Sequence, residues 1–259
     1  MPTISLAIQK GGSGKTTTAI NLAAALQQGG RRVLLVDLDP QANCTQSLGI
    51  LEEPAYGMYE LLKDAGAGET VDASKAMRTT ASGLDLIPAS LELANAEMEL
   101  VSMYSREKLV KQLLRPLESQ YDFILIDCPP AVGMLTVNAL MASDYVIMPL
   151  QAEFLPLRGV KSFWRTIEKL KRQLNPNLQL LGFVLTKFEP QKKMTRTILE
   201  QLEEDYAGLV FNTRIRTNIA LAQAQEAGTD IFHYDKNANG AKDYQALAQE
   251  LLQKLNLSS

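Results

Sequence analysis

The sequence predicts an α/β protein, built as a single doubly wound, mostly parallel sheet with helices on both faces. Three observations carry this. Short, nearly unbroken apolar runs recur along the chain, as strands buried on both faces require. Helical patterns of about ten residues or more separate them, the length a crossover between parallel strands needs. The first strand leads straight into a glycine-rich turn, Lys10-Gly11-Gly12-Ser13-Gly14-Lys15-Thr16-Thr17, and from there into a helix.

Ile4 to Gln9 reads as that first strand. Thr17 to Gln28 reads as a helix with Ile20, Leu22, Ala23, Ala24 and Leu26 on its apolar side, stopped by Gly29-Gly30. Arg32 to Leu38 is a second strand, completing a βαβ unit. Tyr56 to Lys63 is a short helix and Leu84 to Pro88 a strand. Leu91 to Leu114 is helical throughout, in one or two helices, with Pro116 ending it. Asp122 to Ile126 is a strand ending at Asp127, followed by a helix from Val132 to Met141. Tyr145 to Pro149 is a strand, and Leu157 to Leu174 a long helix closed by Asn175-Pro176. Leu178 to Thr186 and Lys193 to Tyr206 repeat strand then helix. Leu209 and Val210 begin a short strand near Phe211, and Thr217 to Ala227 and Ala241 to Leu255 are the closing helices. No internal repeat appears. The reading is one domain over residues 1–259, with no helix-turn-helix ahead of the glycine turn.

Composition narrows the function classes. Apolar residues make up 46% and charged residues 21%, as in ordinary globular proteins. No apolar run approaches the ~18 residues of a spanning helix, and the start lacks the features of a secretory signal. Cys44 and Cys128 lie far apart and form no metal-type cluster, which fits a reduced cytoplasmic protein. Net charge is −3, so constant tight nucleic-acid binding is disfavoured, although a local basic face among 26 Lys and Arg is not.

The glycine turn is a phosphate-binding loop of the P-loop NTPase type. Between a strand and a helix, such a turn points several backbone N–H groups inward, and the helix adds its positive end. Lys10, Gly11, Gly12, Ser13, Gly14, Lys15, Thr16 and Thr17 form the cradle. Lys15 reaches the β and γ phosphates, the Thr16 hydroxyl ligates Mg2+, and Thr17 lies near the α phosphate. Ile124-Leu125-Ile126-Asp127 is an apolar strand ending in a carboxylate, the Walker B arrangement, with Asp127 holding Mg2+ through a water. Val36-Asp37-Leu38-Asp39 ends another strand with carboxylates at i and i+2, which the strand period places on one side. Asp39 is the candidate for positioning the attacking water, and Asp37 for the outer shell of the metal.

Lys10 is a second lysine, five residues before Lys15. One loop can use only so many cations on one triphosphate. The functional reading sends Lys10 across a dimer interface, where its ammonium neutralises charge developing on the partner's nucleotide, as an arginine finger does. The plain alternative is a solvated loop lysine.

With these residues in view, the chain resembles the ParA/MinD family of deviant Walker ATPases, most of all the short ParA-type partition ATPases. Gln9 to Thr17 matches the signature loop, with Lys10 as its signature lysine. Asp37-Leu38-Asp39-Pro40-Gln41-Ala42-Asn43 resembles switch I, and Asp127-Cys128-Pro129-Pro130 with Leu135 to Leu140 resembles Walker B and switch II. Asn212 to Asn218 and Gly240-Ala241-Lys242-Asp243-Tyr244 resemble the closing signatures. Ile8 stands where Asn is common, and Ala42 where Gly is common. The resemblance implies ATP and Mg2+ as ligands, a nucleotide-dependent homodimer, non-specific binding of double-stranded DNA, and a ParB-like centromere-binding or adaptor protein that stimulates hydrolysis. It also implies nucleoid association of the ATP-bound form.

Basic residues group in three places: Lys187 with Lys192, Lys193 and Arg196; Arg214 with Arg216; and Arg165, Lys169, Lys171 and Arg172 on the long helix. Lys187, Arg214 and Arg216 are the candidates for DNA contact, since dimerisation doubles each patch and phosphate contacts act together. A MinD-like membrane role is the alternative. It needs a basic amphipathic end, whereas Leu251 to Ser259 holds one lysine, so membrane binding is disfavoured. Relatives with a bridging iron–sulphur cluster would need cysteines placed on each subunit. Trp164 reads as packing and His233 as structural, and sequence does not place Asn138 or Thr186.

Overall fold

The computed structural model describes residues 1–152 and 157–257. Eight strands form one sheet in the order β3-β4-β2-β5-β1-β6-β7-β8. They are β1 (Thr3–Leu6), β2 (Val33–Asp37), β3 (Arg78–Thr79), β4 (Asp85–Ile87), β5 (Phe123–Asp127), β6 (Tyr145–Gln151), β7 (Gln179–Phe188) and β8 (Val210–Arg216). Every recorded pairing is parallel except β3 with β4.

The apolar runs are explained by helices on both faces. Along β2, Val33 and Leu35 point to one core and Leu34 and Val36 to the other. Along β5, Phe123 and Leu125 separate in the same way from Ile124 and Ile126. On the first face pack α1 (Lys15–Gln28) and α11 (Asn239–Lys254), with α2 (Asn43–Ser47), α9 (Ile219–Glu226) and α10 (Ile231–Asp235) beside them. The other face takes α3 (Met58–Gly66), α4 (Leu93–Glu99), α5 (Leu109–Leu114), α6 (Met134–Ala142), α7 (Leu157–Gln173) and α8 (Lys193–Asp205). No helix among the described residues is long and apolar enough to cross a membrane.

Local chemistry sets the helix ends. Gly30 at φ +80 turns the chain after α1, and the Gly29 and Arg31 N–H groups return to the carbonyls of Ala25 and Leu26. The Asn218 side chain caps α9 through the Ala220 N–H, and Asp230 caps α10 through those of Phe232 and His233. His233 also pairs with Asp230 at 2.8 Å, a structural place for the one histidine.

The helical stretch expected over Leu91 to Leu114 is broken. Between α4 and α5 the chain forms two short 3-10 turns and turns at Ser105, φ +50. Asn138 of α6 holds the break open, donating to the Arg106 carbonyl at 2.7 Å and accepting from the Val110 N–H at 3.2 Å. α5 ends at Leu114 as expected, and Pro116 lies in the 3-10 turn that follows it. β8 is longer than the short strand expected. As an edge strand it is covered, because Glu250 of α11 takes the N–H groups of Asn212 and Thr213. The short α2, α10 and β3 carry too few residues for a periodicity and are additions to the sequence reading. Leu247, Ala248 and Leu251 of α11 are buried in the core, so its apolar face is used inside the fold. Ser258 and Ser259, the end of the segment weighed as a membrane anchor, lie outside the described residues.

Candidate nucleotide site

β5 lies between β1 and β2, with Leu6 and Asp37 both in register with Asp127. The chain therefore crosses over at this point, where open parallel sheets bind ligands beyond their strand ends. A cavity of about 530 Å³ opens there, and its wall includes Gly11 to Thr17, Asp39, Thr186 and Asn218.

The loop folds as the glycines allow. Gly12 and Gly14 sit at φ +69 and φ +90, where side chains are disfavoured. α1 begins at Lys15, immediately after Gly14, two residues earlier than its apolar pattern marks. The free N–H groups of its first turn are therefore part of the cavity wall. Lys15 is 6% exposed, and its Nζ donates to the Lys10 carbonyl at 3.1 Å, as does the Ser13 hydroxyl at 3.3 Å. The Thr17 hydroxyl donates to Gln225 Oε1 at 3.4 Å, tying the loop to α9. Lys10 itself precedes the lining residues.

Asp127 is fully buried, and neither of its carboxylate oxygens accepts a hydrogen bond among the described residues. Burial raises its pKa well above the ordinary value, and the neighbouring Asp37 adds to this. Thr16 and Lys15 pull the other way. An orphaned carboxylate beside a threonine hydroxyl and a phosphate cradle fits Mg2+, which keeps waters and takes few protein ligands.

The two switch I carboxylates do not lie side by side as the strand period implies. β2 ends at Asp37, and the turn after it brings Asp39 to the cavity wall while Asp37 stays buried beneath. Asp37 accepts from the Asp39 N–H at 3.1 Å, and from the Thr45 N–H and hydroxyl at 2.9 and 2.7 Å. The Thr45 hydroxyl in turn accepts from the Ala89 N–H. Burial pushes Asp37 up to about 6 despite these donors. Asp39 is 6% exposed, and its Oδ1 takes the Gln41 N–H at 3.0 Å. Ala42 adopts φ +51, which accounts for glycine being common there and costs an alanine about 1 kcal/mol. Ile8 is buried just beyond β1, so it belongs to the core.

The DNA candidates differ in surroundings. Lys187 is exposed at the cavity rim, at φ +47. Arg214 has a side chain only 15% exposed and pairs with Glu203 at 3.3 Å; burial lowers its pKa. Arg216 donates to Asp243 through its backbone N–H, Nε and Nη2, the last at 2.6 Å. The closing signature thus anchors α11 to β8, and Tyr244 meets Thr18 of α1 at 3.2 Å. Cys44 and Cys128 are fully buried, which leaves no exposed thiol to bridge two subunits.

Three residues of this site escaped the sequence reading: Gln151, Thr45 and Gln225. Thr186, unplaced by sequence, belongs with them. Its hydroxyl donates to the Ser13 carbonyl at 2.9 Å, and Gln151 Nε2 donates to the Gly12 carbonyl. The signal for both was the one that found Asp127: a polar side chain at the C-terminal end of an apolar parallel strand.

Comparison with known proteins agrees with this geometry. A family model described as an AAA domain matches residues 1–180. The sporulation initiation inhibitor protein Soj of Bacillus subtilis is 41% identical over 249 residues, covering 96% of this chain and 97% of Soj. The chromosome partitioning protein ParA of Myxococcus xanthus is 40% identical, covering 97% of this chain and 88% of ParA. Among solved structures, cobyrinic acid a,c-diamide synthase from Mycobacterium smegmatis with bound ADP and magnesium matches with a TM-score of 0.84 and 37% identity, over 99% of this chain and 96% of that one. A phosphate loop with two lysines, a buried Walker B aspartate and near full-length likeness to Soj and ParA meet in one molecule, and the chain belongs to the ParA/MinD family of deviant Walker ATPases.

Proposed function

We propose that this protein is a Mg2+-dependent ATPase of the ParA partition type. ATP closes two copies into a dimer, the dimer holds double-stranded DNA without sequence preference, and a ParB-like adaptor stimulates hydrolysis to release it. The observation that carries this reading is the orphaned, buried Asp127 carboxylate beside a loop that holds a lysine at each end. Likeness to proteins named for chromosome partitioning, and to one holding ADP and magnesium, supports it.

The residues divide the work. Loop N–H groups and the start of α1 grip the phosphates. Lys15 exchanges the Lys10 carbonyl for β and γ phosphate oxygens. Thr16 and, through water, Asp127 hold Mg2+, with Asp37 behind them; the bound metal neutralises phosphate charge. Asp39, at the cavity wall, orients the attacking water. Lys10, outside the lining of its own cavity, reaches the partner's nucleotide, so that the γ phosphate joins the two copies. Lys187 and Arg216 are the exposed cations of the three DNA candidates and Arg214 is largely buried; Arg214 and Arg216 share part of their charge with Glu203 and Asp243.

The test measures mass by light scattering and retention on DNA, with ATP, ADP or no nucleotide. Wild type should be dimeric and DNA-bound with ATP alone. Lys10→Ala should bind ATP yet stay monomeric, and Asp39→Ala should remain dimeric for longer because turnover falls. A wild-type mass and DNA retention that ignore the nucleotide would overturn the cycle.

A further inference from the structure

Gln151, the last residue of β6, and Thr186, two residues before the end of β7, are register partners, and the Ala152 N–H donates to the Thr186 carbonyl. From these adjacent strand ends both side chains reach the phosphate loop and take successive carbonyls, Gly12 by Gln151 and Ser13 by Thr186. Thr186 is 4% exposed, and its methyl also packs where a Cβ on Gly14 would lie, 3.3 Å away. The next residue, Lys187, adopts a left-handed φ of +47, an uncommon conformation for a side chain of that size, directly at this junction.

We propose that Gln151 and Thr186 are positioning residues for nucleotide binding, a two-point clamp that sets the direction of the loop's N–H groups. In a trans peptide the C=O and N–H point in opposite directions. Holding the Gly12 carbonyl outward therefore aims the Ser13 N–H inward, and holding the Ser13 carbonyl aims the Gly14 N–H inward. Without the clamp the Ser13–Gly14 peptide can turn over at little cost, because the change in φ falls on Gly14 and glycine occupies both signs of φ readily; the Gly12–Ser13 peptide turns on ψ of Gly12 and φ of Ser13, at a higher cost. A turned peptide presents a carbonyl oxygen to the phosphates and withdraws a donor at the same stroke. Neither residue touches the nucleotide in this scheme; each acts through the loop. Preorganised donors of this kind stabilise a bound anion because they need no rearrangement when it arrives.

This inference rests on the phosphate loop binding Mg·ATP, and wild-type binding is the control that tests that reading separately. Thr186→Val removes the hydroxyl but keeps the methyl against Gly14, and Thr186→Ser keeps the hydroxyl. Titration with Mg·ATP by calorimetry should give about tenfold weaker binding for Thr186→Val and binding near wild type for Thr186→Ser. In steady-state hydrolysis the loss should fall on KM more than on kcat. The melting temperature without nucleotide should stay near wild type, which separates loop positioning from general packing. Gln151→Met, at a half-buried position, should also weaken Mg·ATP several-fold, and it decides the matter alone if Thr186→Val does not fold. Wild-type affinity in Gln151→Met, or in a folded Thr186→Val, would overturn the clamp. So would a Thr186→Ser protein as weak as Thr186→Val, since methyl packing and not the hydroxyl would then be responsible.

Discussion

Replacing Asp127 with asparagine should make the nucleotide-free protein more stable while ruining its function. Asp127 is fully buried, both oxygens lack a partner among the described residues, and Asp37 sits in register on the neighbouring strand. Both carboxyls have pKa values raised above the ordinary 3.8, chiefly by burial. A carboxyl whose folded pKa is raised is most favourable to folding below its unfolded pKa. Stability is then lost as pH rises from about 4 towards the folded value, at about 1.4 kcal/mol per pH unit for one proton. Asparagine removes the Asp127 part of this slope and keeps the shape, although its amide is still imperfectly paired. The net gain should be about 1–3 kcal/mol at pH 7. For a chain of this size that is a rise in melting temperature of roughly 2–10 °C. The assay is thermal unfolding of both proteins without nucleotide or metal, from pH 5 to pH 8. The gap should be widest at pH 8 and shrink towards pH 5. A variant less stable than wild type at pH 8, or a gap that does not change with pH, would refute the reasoning.

Two further outcomes follow from particular contacts. Gly228→Ala should destabilise the fold by about 2–4 kcal/mol, because φ is +71 and the new Cβ would lie 2.9 Å from the Gly49 Cα. Gly208→Ala, at φ +77 but with nothing within 4 Å, should lose only about half as much, and equal urea midpoints for the two would contradict this. Lys187→Glu should weaken DNA retention by the ATP form and lower the slope of log affinity against log salt by about 2 per dimer, one contact per copy. Wild-type salt dependence would remove Lys187 from the contact.

Much of the architecture was legible because it is local. A strand buried on both faces has to be apolar, and a Gly-Lys-Thr turn has to join a strand to a helix, so α1, β2 and β5 could be read directly, and β1 too except that it stops at Leu6 and not at Gln9, because apolar residues continue past the last strand pairing. What sequence could not show is depth. Asp37 and Asp39 look equivalent at i and i+2, but the strand stops at the first of them. One carboxylate is therefore buried and bonded to Thr45, while the other reaches the cavity. The one hint of a left-handed backbone at Ala42 was that it stands where glycine is common; the conformation itself depends on how the switch I turn meets α2.

The other features that sequence does not show share a physical origin, a polar group reaching across a long sequence separation. Periodicity alone continues a helix from Leu91 to Leu114, but Asn138 takes its hydrogen bonds in the middle. Glu97 of α4 caps α6 in the same way, accepting from the N–H groups of Met134 and Leu135 at 2.6 and 3.1 Å, which ties the broken stretch to the segment after Asp127. Charge counting likewise does not show that Glu203 and Asp243 meet Arg214 and Arg216 from 11 and 27 residues away. Buried polar groups need partners, so each such side chain must be satisfied somewhere, but the requirement does not say where. At the C-terminal edge of this sheet the uncertainty narrows. A polar residue ending an apolar parallel strand there meets either the ligand or the loop that holds it. Asp127 is the first kind and Thr186 the second, and telling them apart requires the distance from a side chain to a backbone carbonyl, which only the folded chain supplies.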